Sequence, residues 1–472
     1  TEGILGTPFA VSSTFIFLFL LFGAFLIKTG VGEYFNDLEA VIAGKRVGGP
    51  AKIAIFSSAL QGTISGSSVA NVVTSGAFTI PMMKRLGYKK EFAGAVEAAS
   101  STGGQLMPPI MGAAAFLMVE FIGGGITYWD IAKAAAIPAI LYFTGIWIMT
   151  HFEAKRLGLR GLSDDEIPKK KEILMKIYLL FPIASIIILL MINMSVMRAA
   201  LISIVVTILV SAVRKDTWIG FKGIINALVD GARTALSIAV ATACAGIIVG
   251  VVTKTGLGLK MANSLVSIAE SVATNANVQL LLTLFFTMIA SIILGMGAPT
   301  TANYVITSTI AAPAIILMGV PELSAHLFVF YFGIVADITP PVALAAFAAS
   351  GISGGEPIRT GIQSSKLAIA AFIIPYIFVL SPEMLMIDTT IVGTIWVVFT
   401  SICGMIAIGA GMVGFWYRKV YWYERVIAII TGFLLIYPEG ISDTIGLITF
   451  AGLLILQYVI KGDRNSERTL NA

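Results

Sequence analysis

Gly62-Thr-Ile-Ser65-Gly66-Ser67-Ser68-Val-Ala-Asn71, joined later by Ser101-Thr102-Gly103-Gly104-Gln105-Leu-Met-Pro108-Pro109, is the stretch that decides the fold. It occurs twice. Adding 232 to its numbers carries Ala70-Asn71 onto Ala302-Asn303, Val73 onto Val305, Pro81 onto Pro313, Gly87 onto Gly319 and Pro108-Pro109 onto Pro340-Pro341. The asparagine stands 37 residues before the double proline in both copies. An earlier landmark, Lys28-Thr-Gly-Val-Gly32, returns as Lys254-Thr-Gly-Leu-Gly258 with the offset reduced to 226, which one short insertion or deletion explains. Small residues recur by chance in apolar chains, but prolines, glycines and asparagines repeating in order and in register mark an internal duplication.

Composition decides the solvent. With 57% hydrophobic and 12% charged residues and a mean hydropathy of +0.93, the chain has too much apolar surface for a soluble core and belongs in a bilayer. Its net charge of +5 does not imply nucleic acid, because basic residues of membrane proteins gather in cytoplasmic loops whatever the substrate. Cys244 and Cys403 sit inside apolar runs, so neither a disulfide frame nor a thiolate metal site is expected. No basic segment precedes the first apolar run, so no signal peptide is expected, and the start at Thr1 leads us to expect further sequence upstream.

Apolar runs long enough to cross the hydrocarbon, about 20 helical residues each, lie near 9–27, 90–122, 130–150, 175–194 and 196–213, then 235–253, 324–352, 367–380, 389–413, 425–437 and 444–460. The runs at 51–84 and 277–318 are broken in the middle by Gly, Ser, Thr, Asn or Pro, the mark of a re-entrant hairpin. The 90–122 and 324–352 runs are interrupted at Thr102–Pro109 and Asp337–Pro341, where adjacent prolines remove donors and bend the helix. A hairpin enters and leaves on one side, so five crossings separate 9–27 from its counterpart at 235–253. Five is odd, and the second copy is expected upside down. Sorting Lys and Arg by this topology leaves only Lys133, Arg198, Lys254 and Lys260 on one side, out of 31. The rich side, with Lys84, Lys169-Lys170-Lys171 and the tail residues Lys461, Arg464 and Arg468, is expected to be cytoplasmic. Trp416–Arg425 reads as an amphipathic interfacial arm.

Polar backbone at membrane depth is costly unless it lines a cavity or is satisfied by neighbours, so four breaks converging from two inverted copies predict a site near the midplane. Freed carbonyls with Ser, Thr and Asn oxygens make a neutral, hard-oxygen nest suited to a small monovalent cation. The candidates are Ser65, Gly66, Ser68, Asn71 and Gly103 in one copy and Gly297, Thr300, Thr301, Asn303 and Ala336 in the other. Helix N-termini at Ser67–Asn71 and Pro299–Asn303 favour an anionic group on a substrate. For any lone Ser or Thr the competing reading is a bond back to its own helix.

The run from Gly62 to Val73, the run Phe92-Ala-Gly-Ala-Val-Glu97-Ala-Ala-Ser-Ser-Thr-Gly-Gly-Gln-Leu-Met-Pro-Pro-Ile-Met-Gly, and Gly295-Met-Gly-Ala-Pro-Thr-Thr-Ala-Asn-Tyr304 with Val335-Ala-Asp-Ile-Thr-Pro-Pro resemble a known family. It is the DctM-like large permease subunit of tripartite ATP-independent periplasmic (TRAP) transporters, in particular the TAXI-type fused permeases. The resemblance covers nearly the whole chain. It implies an elevator-type secondary importer in a bacterial or archaeal inner membrane, fed by a periplasmic substrate-binding protein and driven by a cation gradient, usually Na⁺. One Na⁺ would fall on the Ser65–Asn71 tip with Gly103, the other on the Gly297–Asn303 tip with the Asp337–Pro340 loop. The family's small four-helix membrane subunit is missing from this sequence and is expected as a separate chain or as a fused portion upstream.

Intramembrane carboxyls complete the candidates. Asp337 stands where the first copy has Gln105; it reads as a cation ligand or as a cap on the following half-helix. Glu97, among small residues two turns before the first break, reads as a proton carrier or as a structural hydrogen bond. Enzyme signals are weak: Gly351-Ile-Ser-Gly-Gly355 fits G-x-S-x-G without a preceding strand and reads as a turn, His151 and His326 suggest no metal cluster, and no phosphate-binding loop is present. His326 is expected to snorkel near the outer surface.

The expected fold is therefore an all-α polytopic membrane protein with two inverted-topology repeats, each with a re-entrant helical hairpin and a discontinuous helix. Residues 1–150 form the first repeat, 151–234 a cytoplasmic linker with connecting helices, 235–380 the second repeat, and 381–472 scaffold helices and a cytoplasmic tail. A small organic anion, a carboxylate by expectation, would dock between the tips at Ser67, Thr102, Gln105 and Pro108 and at Pro299, Thr339 and Pro340. No cofactor beyond a coupling Na⁺ or H⁺, and no enzymatic activity, is expected. The rival readings are proton-driven import and a cation channel or exchanger without an organic substrate; a membrane-embedded hydrolase lacks its activated Ser or metal cluster.

Overall fold

Lys28 ends the first long helix and Lys254 its repeat counterpart, and the two helices lie side by side in opposite directions. The first, α1, runs Thr7–Lys28. Lys28 pairs with Asp230 at 2.8 Å, Leu21 and Ala24 pack on Gly231, and Gly3 meets Gly246. Equivalent helices that pack antiparallel are what a two-fold relation between the copies requires, and the parity of crossings demands the same. The computed structural model describes residues 3–387, 389–437 and 440–470, with side chains through Val459. Thr1 lies outside the described residues, as do the side chains of Lys461, Arg464 and Arg468.

In the first copy α1 stops at Gly30, whose φ of +78° is left-handed and suits glycine because it carries no Cβ. Next come α2 (Val31–Ala43), α3 (Gly49–Ser65), α4 (Ser68–Arg85), α5 (Lys90–Gly104) and α6 (Ala114–Ile122). Pro50 opens α3, where a missing N–H costs nothing, and Gly66 at φ +61° closes it. Between α5 and α6 the chain unwinds through the cis Pro108–Pro109 bond. A capping box of Thr127 and Asp130 starts α7 (Tyr128–Arg156). Two shorter apolar helices, α8 (Phe181–Met191) and α9 (Val196–Ser211), lead to the second copy.

That copy repeats the order with α10 (Gly220–Thr255), α11 (Leu257–Val272), α12 (Ala276–Gly295), α13 (Thr300–Leu317), α14 (Glu322–Val335) and α15 (Leu344–Ser353). A cis Pro340–Pro341 bond lies in its break. Every residue of α14 from Leu323 to Val335 is buried, as expected of a helix that is apolar all round. Then follow α16 (Pro357–Leu367), α17 (Ile369–Leu380), α18 (Ile391–Val413), α19 (Trp422–Leu434) and α20 (Gly440–Leu470). Among the described residues the only β pairing is one bridge between Phe415 and Lys419.

Several expectations need correction. Helix α7 continues past 150 to Arg156, and α10 begins at Gly220 rather than 235, so both repeat boundaries fall inside helices. Polar residues such as His151, Lys222, Asp230 and Arg233 interrupt the apolar run without interrupting the backbone ladder. Trp416–Arg425 is not an amphipathic arm: Trp416 and Val420 are buried in a tight bend, and α19 starts at Trp422. Arg418 folds back onto Glu424 at 2.6 Å; Glu424 is buried and the Arg418 side chain is 10% exposed. His326 does not snorkel; it is buried with Nδ1 2.7 Å from the Tyr304 hydroxyl. Gly351–Gly355, by contrast, is the turn expected of it: the capped end of α15, with Gly354 left-handed.

Candidate functional site

The two hairpin tips and the two helix breaks meet. Glycines allow the approach: a Cβ on Gly66 would lie 3.0 Å from Gly112 Cα, and one on Gly112 would come within 2.5 Å of Thr300 Cγ2. At the junction Ser68 Oγ donates to Asp337 Oδ2 at 2.6 Å, Gln105 Nε2 donates to the same oxygen at 3.2 Å, and Thr300 Oγ1 donates to Gln105 Oε1. Thr300 also lies 3.4 Å from the Gly66 carbonyl. The 232-residue offset turns Ser68 into Thr300 and Gln105 into Asp337. Each hydroxyl therefore bonds the other copy's break residue, and the two break residues bond each other. Such reciprocal contacts belong to a two-fold axis and not to a translation.

Flanking this quartet, each tip holds an asparagine. Asn71 Nδ2 donates to the Ser58 carbonyl at 3.0 Å; Asn303 Nδ2 donates to the Gly333 carbonyl at 2.7 Å. In both, the amide oxygen is buried without a hydrogen-bond partner among the described residues, and so are Ser65 Oγ and Thr102 Oγ1. Buried acceptors left unpaired are costly. A neutral set of hard oxygens held in place by anchored amides fits a small hard monovalent cation, so the donor chemistry here is compatible with Na⁺.

The other candidates divide. Thr301 is buried in the second tip, and Gly297 adopts a left-handed φ of +77° there. The carbonyls of Gly103 and Ala336 each accept one turn N–H, from Leu106 at 2.9 Å and Thr339 at 3.3 Å, leaving a second lone pair. Ser67 is committed to capping α4, accepting from the Ala70 N–H at 3.4 Å. Thr339 bonds back to the Val335 carbonyl at 2.8 Å, so its hydroxyl is not turned to the junction. Pro299 precedes the uncapped start of α13, Pro108 lies in the first break, and Pro340 packs on Gly361.

Glu97 is fully buried and accepts from four hydroxyls: Ser58 at 3.0 Å, Ser101 at 3.2 Å, Thr79 at 2.5 Å and Ser75. Among the described residues no basic side chain joins it. Its counterpart in the second copy is Val329, so this carboxyl breaks the symmetry. Sequence reasoning missed the residues of α2. Asn36 accepts from Ser57 and from Gln61 Nε2 at 3.2 Å, while Glu39, 2% exposed, has neither carboxyl oxygen bonded. A cavity of about 540 Å³ reaches from this helix to the first tip, lined by Glu33, Asn36, Asp37, Gln61, Ser65 and Asn71. The three-residue spacing of Glu33, Asn36 and Glu39 on an amphipathic helix was the available signal.

An all-helical membrane chain whose two copies bring polar helix breaks together at a buried site has the architecture of secondary transporters. The family described as tripartite ATP-independent periplasmic transporter, DctM component, matches residues 6–392. The chain belongs to that family. Residues 394–447 match a domain of unknown function, DUF3394. Among relatives, the sialic acid TRAP transporter large permease protein SiaM of Vibrio cholerae is 28% identical over 144 residues, 30% of this chain and 33% of the relative. The C4-dicarboxylate TRAP transporter large permease protein DctM of Pseudomonas aeruginosa is 36% identical over 91 residues, 19% of this chain and 21% of the relative. Each match thus spans about a third or less of the relative. The Alcanivorax borkumensis YdaH transporter shares the fold, with a TM-score of 0.54 at 16% identity over 79% of this chain and 84% of that one.

Proposed function

We propose that this chain is the large permease of a TAXI-type secondary importer that carries a small organic anion, with a coupled cation, across the cytoplasmic membrane. Its periplasmic binding protein delivers the substrate, and the small four-helix membrane subunit completes the scaffold. The observation that carries the reading is the pair of unpartnered asparagine oxygens at the two tips, Asn71 and Asn303, beside the Ser68–Asp337–Gln105–Thr300 quartet. Na⁺ at each tip would satisfy these oxygens and order the nest. The substrate carboxylate then docks against the starts of α4 and α13, whose N–H groups favour negative charge. Relatives named for sialic acid and C4-dicarboxylates support an anionic substrate. The hairpin-bearing block then moves against the scaffold as an elevator, with the C-terminus in the cytoplasm.

Proton coupling is the second reading, favoured by Glu97 with its four hydroxyl donors and no cationic partner. Uptake of a labelled carboxylate into proteoliposomes, with purified binding protein and imposed Na⁺ or proton gradients, tests both. Cation currents without binding protein or carboxylate would instead identify a channel.

A further inference from the structure

A second cavity, of about 490 Å³, is lined by no residue of either hairpin tip. Two groups of helices meet there. On one side are the start of α5 and the length of α16, which pack together; on the other are the ends of α7 and α18 and the start of α19, which also pack together. Five cations line it, Lys89, Arg156, Arg359, Lys366 and Arg425, against two carboxylates, Glu91 and Glu153. Some are already engaged. Arg156 pairs with Glu153 at 2.6 Å, Arg359 with Glu356 at 2.6 Å, and Arg425 caps α18 through the Gly411 and Met412 carbonyls at 2.7 and 3.0 Å.

Lys89 and Lys366 have no ion pair among the described residues. Lys89 is also the N-cap of α5, a 15-residue helix whose first turn receives no side-chain cap. The positive end of this helix lies beside the two lysines, with Glu91 of its own first turn as the nearby carboxylate. Five exposed cations against two carboxylates, in a cavity of this size, suit an anion larger than chloride. Phosphate oxygens match this donor set, because guanidinium and ammonium groups bind them through charge-assisted hydrogen bonds.

We propose that this cavity binds a phosphate-bearing anion that bridges the α5–α16 and α7–α18–α19 groups. The phosphate comes either from an anionic lipid headgroup of the adjacent leaflet or from a soluble phosphate compound. Binding at this seam does not depend on the transport reading, and it would hold the two groups in the arrangement seen here.

The test uses the purified full chain. Retention of phosphatidylglycerol against phosphatidylcholine is measured by native mass spectrometry, and melting temperature is measured in inorganic phosphate against chloride at equal ionic strength. Phosphatidylglycerol retained about fivefold over phosphatidylcholine, falling to parity in the Lys89→Gln/Arg359→Gln/Lys366→Gln variant, supports the lipid source. A phosphate-dependent rise in melting temperature in the wild type but not in that variant supports the soluble source. Should the triple variant not fold, Lys366→Gln alone must lower the same readout. Equal lipid retention together with equal melting temperatures in the wild type overturns the proposal, as does a preference for phosphatidylglycerol or phosphate that the variants leave intact.

Discussion

Replacing Asp337 with Asn separates two roles that the junction combines. In the structure Oδ2 of this carboxylate, 7% exposed, receives Ser68 at 2.6 Å and Gln105 at 3.2 Å. An amide keeps an acceptor oxygen at the same place but loses the charge. Each of the two hydrogen bonds then falls from the charged to the neutral class, a loss of about 1 kcal/mol apiece. The tie between the copies therefore weakens by about 2 kcal/mol, read as a lower melting temperature. A cation at the second tip loses much more. A unit charge at about 4 Å and an effective dielectric of about 20 contributes about 4 kcal/mol, which is about a thousandfold in affinity. The assay is the Na⁺ dependence of binding-protein-driven uptake, with Na⁺-dependent thermal shift as a control independent of transport. The expected result is a half-saturating Na⁺ concentration raised at least about a hundredfold. A Na⁺ dependence within about threefold of wild type, with only the stability lowered, would mean that Asp337 ties the tips together and holds no cation.

Gly62→Ala places a Cβ 2.2 Å from Gly104 Cα, backbone against backbone; it is expected to cost at least about 3 kcal/mol, read as loss of folded protein on gel filtration. Glu97→Gln is expected to flatten the pH dependence of uptake if proton coupling operates, and an unchanged pH profile confines this carboxyl to a structural role. Glu424→Gln removes the charge from the 2.6 Å partner of Arg418, an ion pair with little exposed surface, and is expected to destabilise by about 3 kcal/mol in a detergent melting experiment. Glu39→Leu removes a buried carboxyl whose oxygens make no hydrogen bond and is expected to raise the melting temperature, by about 1–3 kcal/mol of stability; a fall would reveal a partner for that carboxyl.

Much of the architecture was legible because backbone breaks leave marks in sequence. The tip at Gly66 and the double prolines at 108 and 340 involve residues that helices exclude, so their positions survive inside otherwise uniform apolar runs. The repeat offset also pairs Ser68 with Thr300 and Gln105 with Asp337 before any coordinates are known. It does not say that these four residues bond across the axis, since reciprocal contact is a property of three-dimensional symmetry. What escaped the sequence reading was polarity without a break. Asn36 and Glu39 sit on α2, too short and too amphipathic to register as a span, and the first turns of α10 carry Lys222 and Asp230 on a continuous helix. His326 and Trp416 were placed at surfaces by residue type, whereas the Tyr304 hydroxyl satisfies one and a tight bend buries the other.

The proposed transport requires two ion sites, one at each tip and each built around an asparagine oxygen with no donor among the described residues. Counting Na⁺ bound per purified chain, in the wild type and in Asn71→Ala and Asn303→Ala, addresses this directly. Two ions in the wild type and one in each variant is the predicted result. Two ions retained in both variants, or none bound by the wild type, would contradict it.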